Sequence, residues 1–255
     1  MDYNPRTPSE FNQFKKSLLE KQKNNKELFS DAIKLHQKKS DTGYFLQHEY
    51  CGLPILQTPA DILQLHSLIW SKKPTLIIET GIARGGSILF YASQLLMLKS
   101  LNIINLDPQV IGIDILIHEY NRKSIQDSPF NKVIKLIENS SINHHTYKLV
   151  ENIAKNHPSK IIILDSNHTY EHVLNELKLY SNLCNQGDLI IVFDTLIEYL
   201  DNYFPGSYDD RPWGKSNNPL TAVEEFLSSR SDFIRVNDID DKLILSGAIG
   251  GWLMK

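Results

Sequence analysis

Residues 75–90 read TLIIETGIARGGSILF, and they indicate the kind of fold that the chain adopts. The first half of this stretch is a short, nearly all-apolar run, which is typical of a strand buried on both faces. Gly81 permits a tight turn with positive φ, and Gly85 and Gly86 let the backbone approach a ligand where a helix begins. The glycine spacing differs from the GxGxxG dinucleotide fingerprint, and no Gly-Lys-Ser/Thr of a P-loop follows. The stretch therefore predicts a strand, a ligand-binding turn and a helix.

Similar apolar runs recur along the chain with helical patterns between most of them. They lie at residues 110–115, 133–137, 161–165 and 189–194. Strands that alternate with helices predict right-handed crossovers and a mostly parallel sheet with helices on both faces. Near the C-terminus the runs at 233–236, 243–245 and 251–254 leave no room for helices, so we expect them to be antiparallel strands. This pattern predicts a Rossmann-like α/β fold.

Four of the apolar runs end in a carboxylate, at Glu79, Asp114, Asp165 and Asp194. Ligands of open parallel sheets bind beyond the carboxyl ends of the strands, so these acids are expected to converge on one crevice. Gathering like charge there is costly unless cations or hydrogen-bond donors occupy the space. The alternative for each acid is an N-cap of the following helix.

The acid that precedes the first glycine repels a pyrophosphate and attracts an amine or a ribose hydroxyl. Together with the acid that ends the next strand, it predicts a nucleoside that carries an amino acid, and S-adenosylmethionine fits that description. Asp114 is expected to bind the ribose hydroxyls, and the glycine turn is expected to border the methionyl group.

Composition limits the other function classes. The 255 residues are 41% hydrophobic and 22% charged with a net charge of −3, which gives no field that favours nucleic acid. We find no apolar run long enough for a transmembrane helix and no signal-peptide pattern. Two cysteines without CxxC spacing predict reduced thiols, so we expect a cytoplasmic protein.

Residues 1–45 are predicted to form an amphipathic helical segment, which packs on the domain or on a neighbouring subunit. Residues 46–255 are predicted to form one domain. A basic nucleic-acid arm is the rival interpretation of that segment.

Several motifs together resemble the cephalosporin hydroxylase family, which has a class I methyltransferase fold and is related to macrolide sugar O-methyltransferases. The resemblance covers about four-fifths of the chain. It is carried by the segments at 77–81 with 85–87, 112–114, 121–122, 136–141, 164–173, 193–195, 211–219 and 242–253. It implies an S-adenosylmethionine-dependent O-methyltransferase that acts on a hydroxyl of a sugar or glycosylated substrate, such as a surface polysaccharide or a natural product. It also implies a homo-oligomer.

The resemblance assigns roles to individual residues. Asp165 and Asp194 match two of the three carboxylates that hold Mg²⁺ in the sugar methyltransferases, while Phe193 stands where the third would be. Weaker binding, more water ligands and no metal are the alternatives. His168 matches the general base. The predicted cofactor-binding residues are Glu79, Gly81, Arg84, Gly85, Ser87, Asp114, Ser140, Ser141 and Asp165.

The long segment at 198–219 is rich in Tyr, Asp, Pro, Gly and Asn, and we expect a lid. Its aromatic residues Tyr203, Tyr208 and Trp213 are predicted to stack on a sugar substrate, with ordinary loop packing as the alternative.

Three other functions compete with this interpretation. Residues 168–172 fit the H-x-x-E-H motif of zinc peptidases, in which His168 and His172 share a metal. A nicotinamide-dependent enzyme on a similar sheet is the second alternative, and the glycine spacing disfavours it. The third is a non-catalytic binding protein, which only Phe193 favours.

Overall fold

The computed structural model describes residues 7–200 and 211–255. Two helices open the chain, α1 at Pro8–Lys23 and α2 at Lys26–Asp41. Thr7 caps α1 through a reciprocal capping box with Glu10, which satisfies two backbone N–H groups at the helix start. A two-stranded hairpin, β1 at Glu49–Tyr50 and β2 at Leu53–Pro54, leads into the main domain.

Within the described ranges, seven strands form one sheet in the order β5-β4-β3-β6-β7-β9-β8. The strands are β3 at Leu76–Thr80, β4 at Gln109–Asp114, β5 at Ile134–Glu138, β6 at Lys160–Leu164, β7 at Leu189–Val192, β8 at Ile234–Arg235 and β9 at Trp252–Met254. The first five in this order are parallel, and β9 is antiparallel to β7 and β8. The predicted mostly parallel sheet with an antiparallel C-terminal edge is confirmed.

Helices cover both faces of the sheet. They are α3 at Pro59–Lys72, α4 at Gly86–Ser100, α5 at Glu119–Gln126, α6 at His144–Ala154, α7 at Tyr170–Tyr180, α8 at Pro219–Ser229 and α9 at Asn237–Leu243. Side chains of alternate strand residues enter two separate apolar cores. Ile77, Ile161 and Ile191 pack with α3 and α4, while Ile78 and Ile162 pack with α6, α7 and α8.

The all-apolar strands are explained by this arrangement, because both faces of β3, β6 and β7 are buried. Each fully buried isoleucine contributes roughly 1.5–3 kcal/mol relative to an exposed one. The chain passes from β3 to β4 and β5 on one side and then returns to β6 and β7 on the other. The order of the strands therefore reverses between β3 and β6, where doubly wound sheets bind their ligands.

One prediction for the C-terminus was wrong. The apolar triplet at 243–245 forms no strand, because α9 ends at Leu243 and Ile244 adopts a positive φ of 65°. The helix fits between β8 and β9 because its side chain Ile239 is buried in the core, and because Asp240 Oδ2 accepts a 2.8 Å hydrogen bond from Gly250 N. These tertiary contacts outweigh the local strand pattern.

Candidate active site

A cavity of about 1140 Å³ opens beyond the carboxyl ends of β3, β4, β6 and β7. It lies at the point where the strand order reverses. Ten of the predicted site residues line it: Gly81, Arg84, Ser87, Asp114, Ser140, Ser141, Asp165, His168, Asp194 and Trp213. Glu79 and Gly85 lie behind its wall, and Tyr203 and Tyr208 lie outside the described residues. Three of the four strand-end acids thus share one cavity.

The glycine turn packs directly on the loop that follows β6. Gly81 has a φ of 79°, and a Cβ at this position would lie 2.1 Å from the backbone oxygen of Asp165. Gly85, with a φ of 89°, is the N-cap of α4, and its Cβ would lie 2.6 Å from the tip of the Ile125 side chain. Positive φ disfavours a side chain at both glycines, and at Gly81 the Asp165 backbone excludes it sterically as well.

Asp114 holds the glycine turn in place. Its Oδ2 accepts hydrogen bonds from Ile82 N at 2.9 Å and from Ala83 N at 3.3 Å, and its Oδ1 accepts one from Leu116 N at 3.2 Å. Asn121 Nδ2 donates to Ala83 O at 3.0 Å and fixes the turn from the other side. The carboxylate lines the cavity. Each carboxylate oxygen has two lone pairs, so these contacts leave acceptor capacity for a ligand.

Glu79 is fully buried beneath the cavity rather than on its surface. Ser87 Oγ donates to its Oε2 at 2.7 Å, and Tyr91 Oη donates to its Oε1 at 3.1 Å. Loss of contact with water raises the pKa of Glu79 to about 8, against the opposing effect of the two hydroxyl donors. The residue thus secures α4 to β3, and a direct contact with the cofactor has no support from its position.

Asp165 begins the loop after β6 and is bound by a residue from a distant segment. Gln57 Nε2 donates to Asp165 Oδ2 at 2.9 Å, while Gln57 itself is buried before α3. Burial, followed by the negative charges of Asp194 and Glu79, raises the pKa of Asp165 well above its usual range. A bound cation would counter both effects.

His168 and Asp194 form a close imidazole–carboxylate pair on the same side of the cavity. His168 Nε2 lies 2.9 Å from Asp194 Oδ2, and the two side chains are 14% and 25% exposed. The indole of Trp213 packs edge-to-face against the imidazole with ring centroids 4.9 Å apart. Asp194 adopts a φ of 57° directly after β7, a left-handed conformation that non-glycine residues rarely occupy. Such strain is tolerated most often at functional sites.

The donor atoms of Asp165, His168 and Asp194 all lie within 4.8 Å of one another. Two carboxylates and an imidazole fit a divalent cation, and the carboxylates suit Mg²⁺ in particular. Phe193 adds no ligand, since it is buried and its ring packs against Trp252 at 6.1 Å. The site keeps two carboxylates, as the sequence indicated.

His172 lies in a different environment from His168. Its Nε2 is 3.1 Å from both Ser141 Oγ and Ser166 Oγ and 3.5 Å from Glu176 Oε1. The metal-compatible cluster found in the described ranges does not include His172. His168 precedes α7 and so lacks the helical register of a zinc-peptidase pair. His172 instead fixes the Ser140–Ser141 turn to α7.

Sequence comparison decides the family. The model of the family described as Rhamnosyl O-methyltransferase/CmcI matches residues 42–255. The chain belongs to this family. Its membership agrees with the predicted family and confirms the predicted enzyme class, an S-adenosylmethionine-dependent O-methyltransferase.

Individual members of the family are distant in sequence. The Rhamnosyl O-methyltransferase of Mycobacterium leprae is 26% identical over an alignment of 178 residues, and the match covers 63% of this chain and 73% of that protein. The protein of the same name from Mycobacterium bovis BCG is 26% identical over 165 residues, and the match spans 63% of each chain, less than two thirds of that relative's length. Among solved structures, CmcI in an apo form and CmcI with Mg and SAM share the fold at TM-scores of 0.55 and 0.54. Each is 20% identical and covers 82% of this chain, and the matches cover 76% and 77% of those chains.

Several residues that line the cavity were missed by sequence reasoning. His36 from α2 and Gln57 and Asp61 from the segment around the start of α3 contribute to its wall. Asp61 is fully buried and accepts hydrogen bonds from Ser246 Oγ at 2.6 Å and Gly247 N at 3.0 Å. Asp61 could have been noticed in the sequence, because it is a polar residue within an apolar helix pattern. No local pattern marks His36 or Gln57.

Of the parts of the chain that the structure describes, no helix has the length and apolarity needed to cross a membrane.

Proposed function

We propose that the chain transfers the methyl group of S-adenosylmethionine to a hydroxyl of a sugar in a glycosylated acceptor. The observation that carries this proposal is the His168–Asp194 pair beside Asp165, in the same cavity as the glycine turn. The pair provides a base, and the turn provides a surface for the cofactor. The names of the relatives supply the sugar, since both mycobacterial proteins are called rhamnosyl O-methyltransferases.

The cofactor lies between the glycine turn and the end of β4 in this proposal. Asp114 binds the ribose hydroxyls through Oδ1, on which its three backbone contacts leave one lone pair unused. The backbone of the turn at Gly81 and Arg84 borders the methionyl group of the cofactor, and Ser140 and Ser141 border its adenine base. Ser87 lines the cavity, but its hydroxyl donates a hydrogen bond to Glu79. In this arrangement the sulfonium methyl lies on the Asp165 side of the cavity.

The acceptor hydroxyl is activated by His168. If Nε2–H donates to Asp194, the neutral imidazole carries its lone pair on Nδ1, which takes the hydroxyl proton. The acceptor oxygen forms a bond to the methyl carbon as the carbon–sulfur bond breaks, and the electron pair of that bond goes to sulfur. Asp194 stabilises the imidazolium that results, as the carboxylate does in a Ser-His-Asp triad. General-base catalysis of this kind contributes about 10²–10⁴-fold.

Asp165 and Asp194 are the residues that would hold Mg²⁺. When bound, the ion would supply positive charge that stabilises negative charge on the acceptor oxygen. Two carboxylates suffice because Mg²⁺ retains several water ligands. Burial, followed by the like charge of Asp194, raises the pKa of Asp165, and a cation between the two carboxylates would oppose this rise. Trp213, packed on His168, offers an aromatic face on which a sugar ring stacks.

Transfer of a radiolabelled methyl group from S-adenosylmethionine to rhamnosides tests the proposal. We expect label in the glycoside and S-adenosylhomocysteine as the second product, with transfer weakened by a chelator. Binding of S-adenosylhomocysteine is measured separately by calorimetric titration. Absence of binding would refute the function, while binding without transfer to any glycoside would support the non-catalytic alternative.

Four further points remain predictions. They are a homo-oligomer, the domain division at residue 45, a cytoplasmic location and the absence of a nucleic-acid partner.

A further inference from the structure

Part of the cavity wall comes from α2 and the turn that follows it. Helix α2 contributes His36, Ser40 and Asp41, and the turn contributes Gly43, Phe45 and Leu46. The family match begins at residue 42, so α2 precedes it while the turn lies within it. The helix, which the family model does not include, is a suitable place for a feature that differs between family members.

This wall is held firmly on the domain. The Phe29 ring packs edge-to-face on Tyr199 with centroids 5.5 Å apart, which attaches α2 to the segment after Asp194. Helix α1 is attached to α9, because Lys23 Nζ lies 3.0 Å from Asp241 Oδ2 and Gln22 Nε2 donates to Asp241 O at 2.6 Å. His36 packs on the Phe45 ring at a centroid distance of 4.6 Å. The two helices therefore place His36 and Leu46 at defined positions in the cavity.

Helix α2 packs beside the segment that follows Asp194, through the contact of Phe29 with Tyr199, whereas Asp114 is held by the backbone of the glycine turn. In the proposed function this side of the cavity is the acceptor end. Leu46 and Leu56 line the same cavity while 63% and 38% exposed. Covering such apolar surface is favourable by roughly 25 cal/mol per Å². A ligand beside Asp194 would thus meet one imidazole and an apolar rim.

We infer that α2 and its following turn form the acceptor-binding wall, with His36 as a specificity-determining residue that hydrogen-bonds the sugar and Leu46 as a contact for an apolar group attached to it. The acceptor is accordingly a glycoside with an apolar aglycone, rather than a free sugar. This inference rests on the proposed function, since it concerns the acceptor of the same site. It assigns a role to α2, which precedes the family match, and to the turn with which that match begins.

The test uses 4-nitrophenyl α-L-rhamnopyranoside and free L-rhamnose as acceptors. Wild-type protein is expected to bind the aryl glycoside, when saturated with S-adenosylhomocysteine, at least tenfold more tightly than the free sugar. His36→Gln is expected to raise the Kd and the KM for the aryl glycoside about tenfold. Leu46→Ser is expected to reduce the preference for the aryl glycoside over rhamnose several-fold. Affinity for S-adenosylhomocysteine should change less than twofold in both variants.

His144→Gln is the matched control, because His144 is exposed at the start of α6 and does not line the cavity. Unchanged acceptor binding in both variants, or no preference for the aryl glycoside in the wild type, would overturn the inference. The proposed function would still stand if methyl transfer persisted. Loss of S-adenosylhomocysteine binding in the wild type would instead refute the proposed function. Leu46 is mostly exposed, so its variant is expected to fold even if His36→Gln does not.

Discussion

His168 Nε2 and Asp194 Oδ2 lie 2.9 Å apart, although one residue follows β6 and the other follows β7. The parallel pairing of these strands brings the two loops together, and Thr80 O fixes the first loop by accepting a hydrogen bond from Asp165 N at 2.9 Å. A separation of 2.9 Å is short enough for a hydrogen bond between the imidazole and the carboxylate, and such a bond would select one tautomer of the imidazole.

His168→Ala should reduce methyl transfer by at least 10²-fold, because the base is lost. Asp194→Asn should lower kcat as well, since an amide can support the wrong tautomer. Turnover with labelled S-adenosylmethionine measures both. Affinity for S-adenosylhomocysteine should remain within a few-fold in His168→Ala. His118→Gln, at an exposed position before α5, is the control. Retained turnover in His168→Ala would remove the residue as the base.

Asp114→Asn should weaken S-adenosylhomocysteine binding about tenfold or more. Hydrogen bonds to a charged group contribute roughly 1.5–3 kcal/mol, while the amide oxygen can still accept from the Ile82 or Ala83 N–H. Calorimetric titration of the nucleoside measures the difference. Asp127→Asn, an exposed change at the end of α5, should bind like the wild type. Equal affinity in Asp114→Asn and the wild type would refute the ribose contact.

Addition of MgCl2 should raise the Tm of the wild type, because an ion that binds the folded state stabilises it in proportion to RT ln(1 + [L]/Kd). Asp165→Asn and Asp194→Asn should each lose most of that shift, since each removes one of two carboxylates. Thermal unfolding at increasing MgCl2 is the measurement. Asp107→Asn alters a carboxylate that is 98% exposed and serves as the control. The same shift in all four proteins would show that Mg²⁺ does not bind here.

Glu79 should make the protein less stable as the pH rises. Its folded pKa is about 8 against an ordinary value of 4.5, so the folded state retains a proton that the unfolded state releases. The free energy of unfolding should then fall between pH 4.5 and 8 by about 1.4 kcal/mol per pH unit from this group, and the contribution is lost above pH 8.

Glu79→Gln should flatten this dependence, and urea unfolding at pH 6 and pH 9 measures it. The amide is neutral, and its oxygen can accept from Ser87 or Tyr91 as the protonated acid does. The variant should therefore lose less stability than the wild type between the two pH values. A parallel decline in both proteins would mean that Glu79 is ionised in the folded state.

Gly81→Ala and Gly187→Ala form a matched pair. Both glycines have positive φ, 79° and 88°, but a Cβ would meet the Asp165 backbone at position 81 and nothing within 4 Å at position 187. Gly187→Ala should cost about 1–2 kcal/mol, which is the backbone penalty alone. Gly81→Ala should cost more and also weaken S-adenosylhomocysteine binding. Equal stability of the two variants in urea unfolding would argue against the close packing of the turn.

The sheet could be predicted from the sequence because burial on both faces gives β3, β6 and β7 an unbroken apolar pattern. The convergence of Asp114, Asp165 and Asp194 followed from that sheet, since parallel strands end at one edge. Glu79 shared the same pattern yet lies beneath the cavity. Its position depends on Ser87 and Tyr91, which the strand pattern does not report.

Contacts between residues that are far apart in the sequence could not be predicted from it. Gln57 contacts Asp165 across 108 positions, and no local pattern marks it. His36 contributes to the cavity because α1 and α2 fold back over the domain, which depends on tertiary contacts such as that between Phe29 and Tyr199. The C-terminal helix α9 was not predicted for a related reason. The burial of Ile239 and the hydrogen bond from Gly250 N to Asp240 outweigh the local apolar triplet.

The edge-to-face contact between Trp213 and His168 gives the protein an intrinsic fluorescent reporter. Of the three tryptophans, Trp70 lies half-exposed on α3 and Trp252 is buried in the core, whereas Trp213 lines the cavity. A ligand that displaces water from the ring would shift the wavelength of its emission. In a Trp70→Phe background, emission from this indole would follow cavity occupancy in real time, without a labelled substrate.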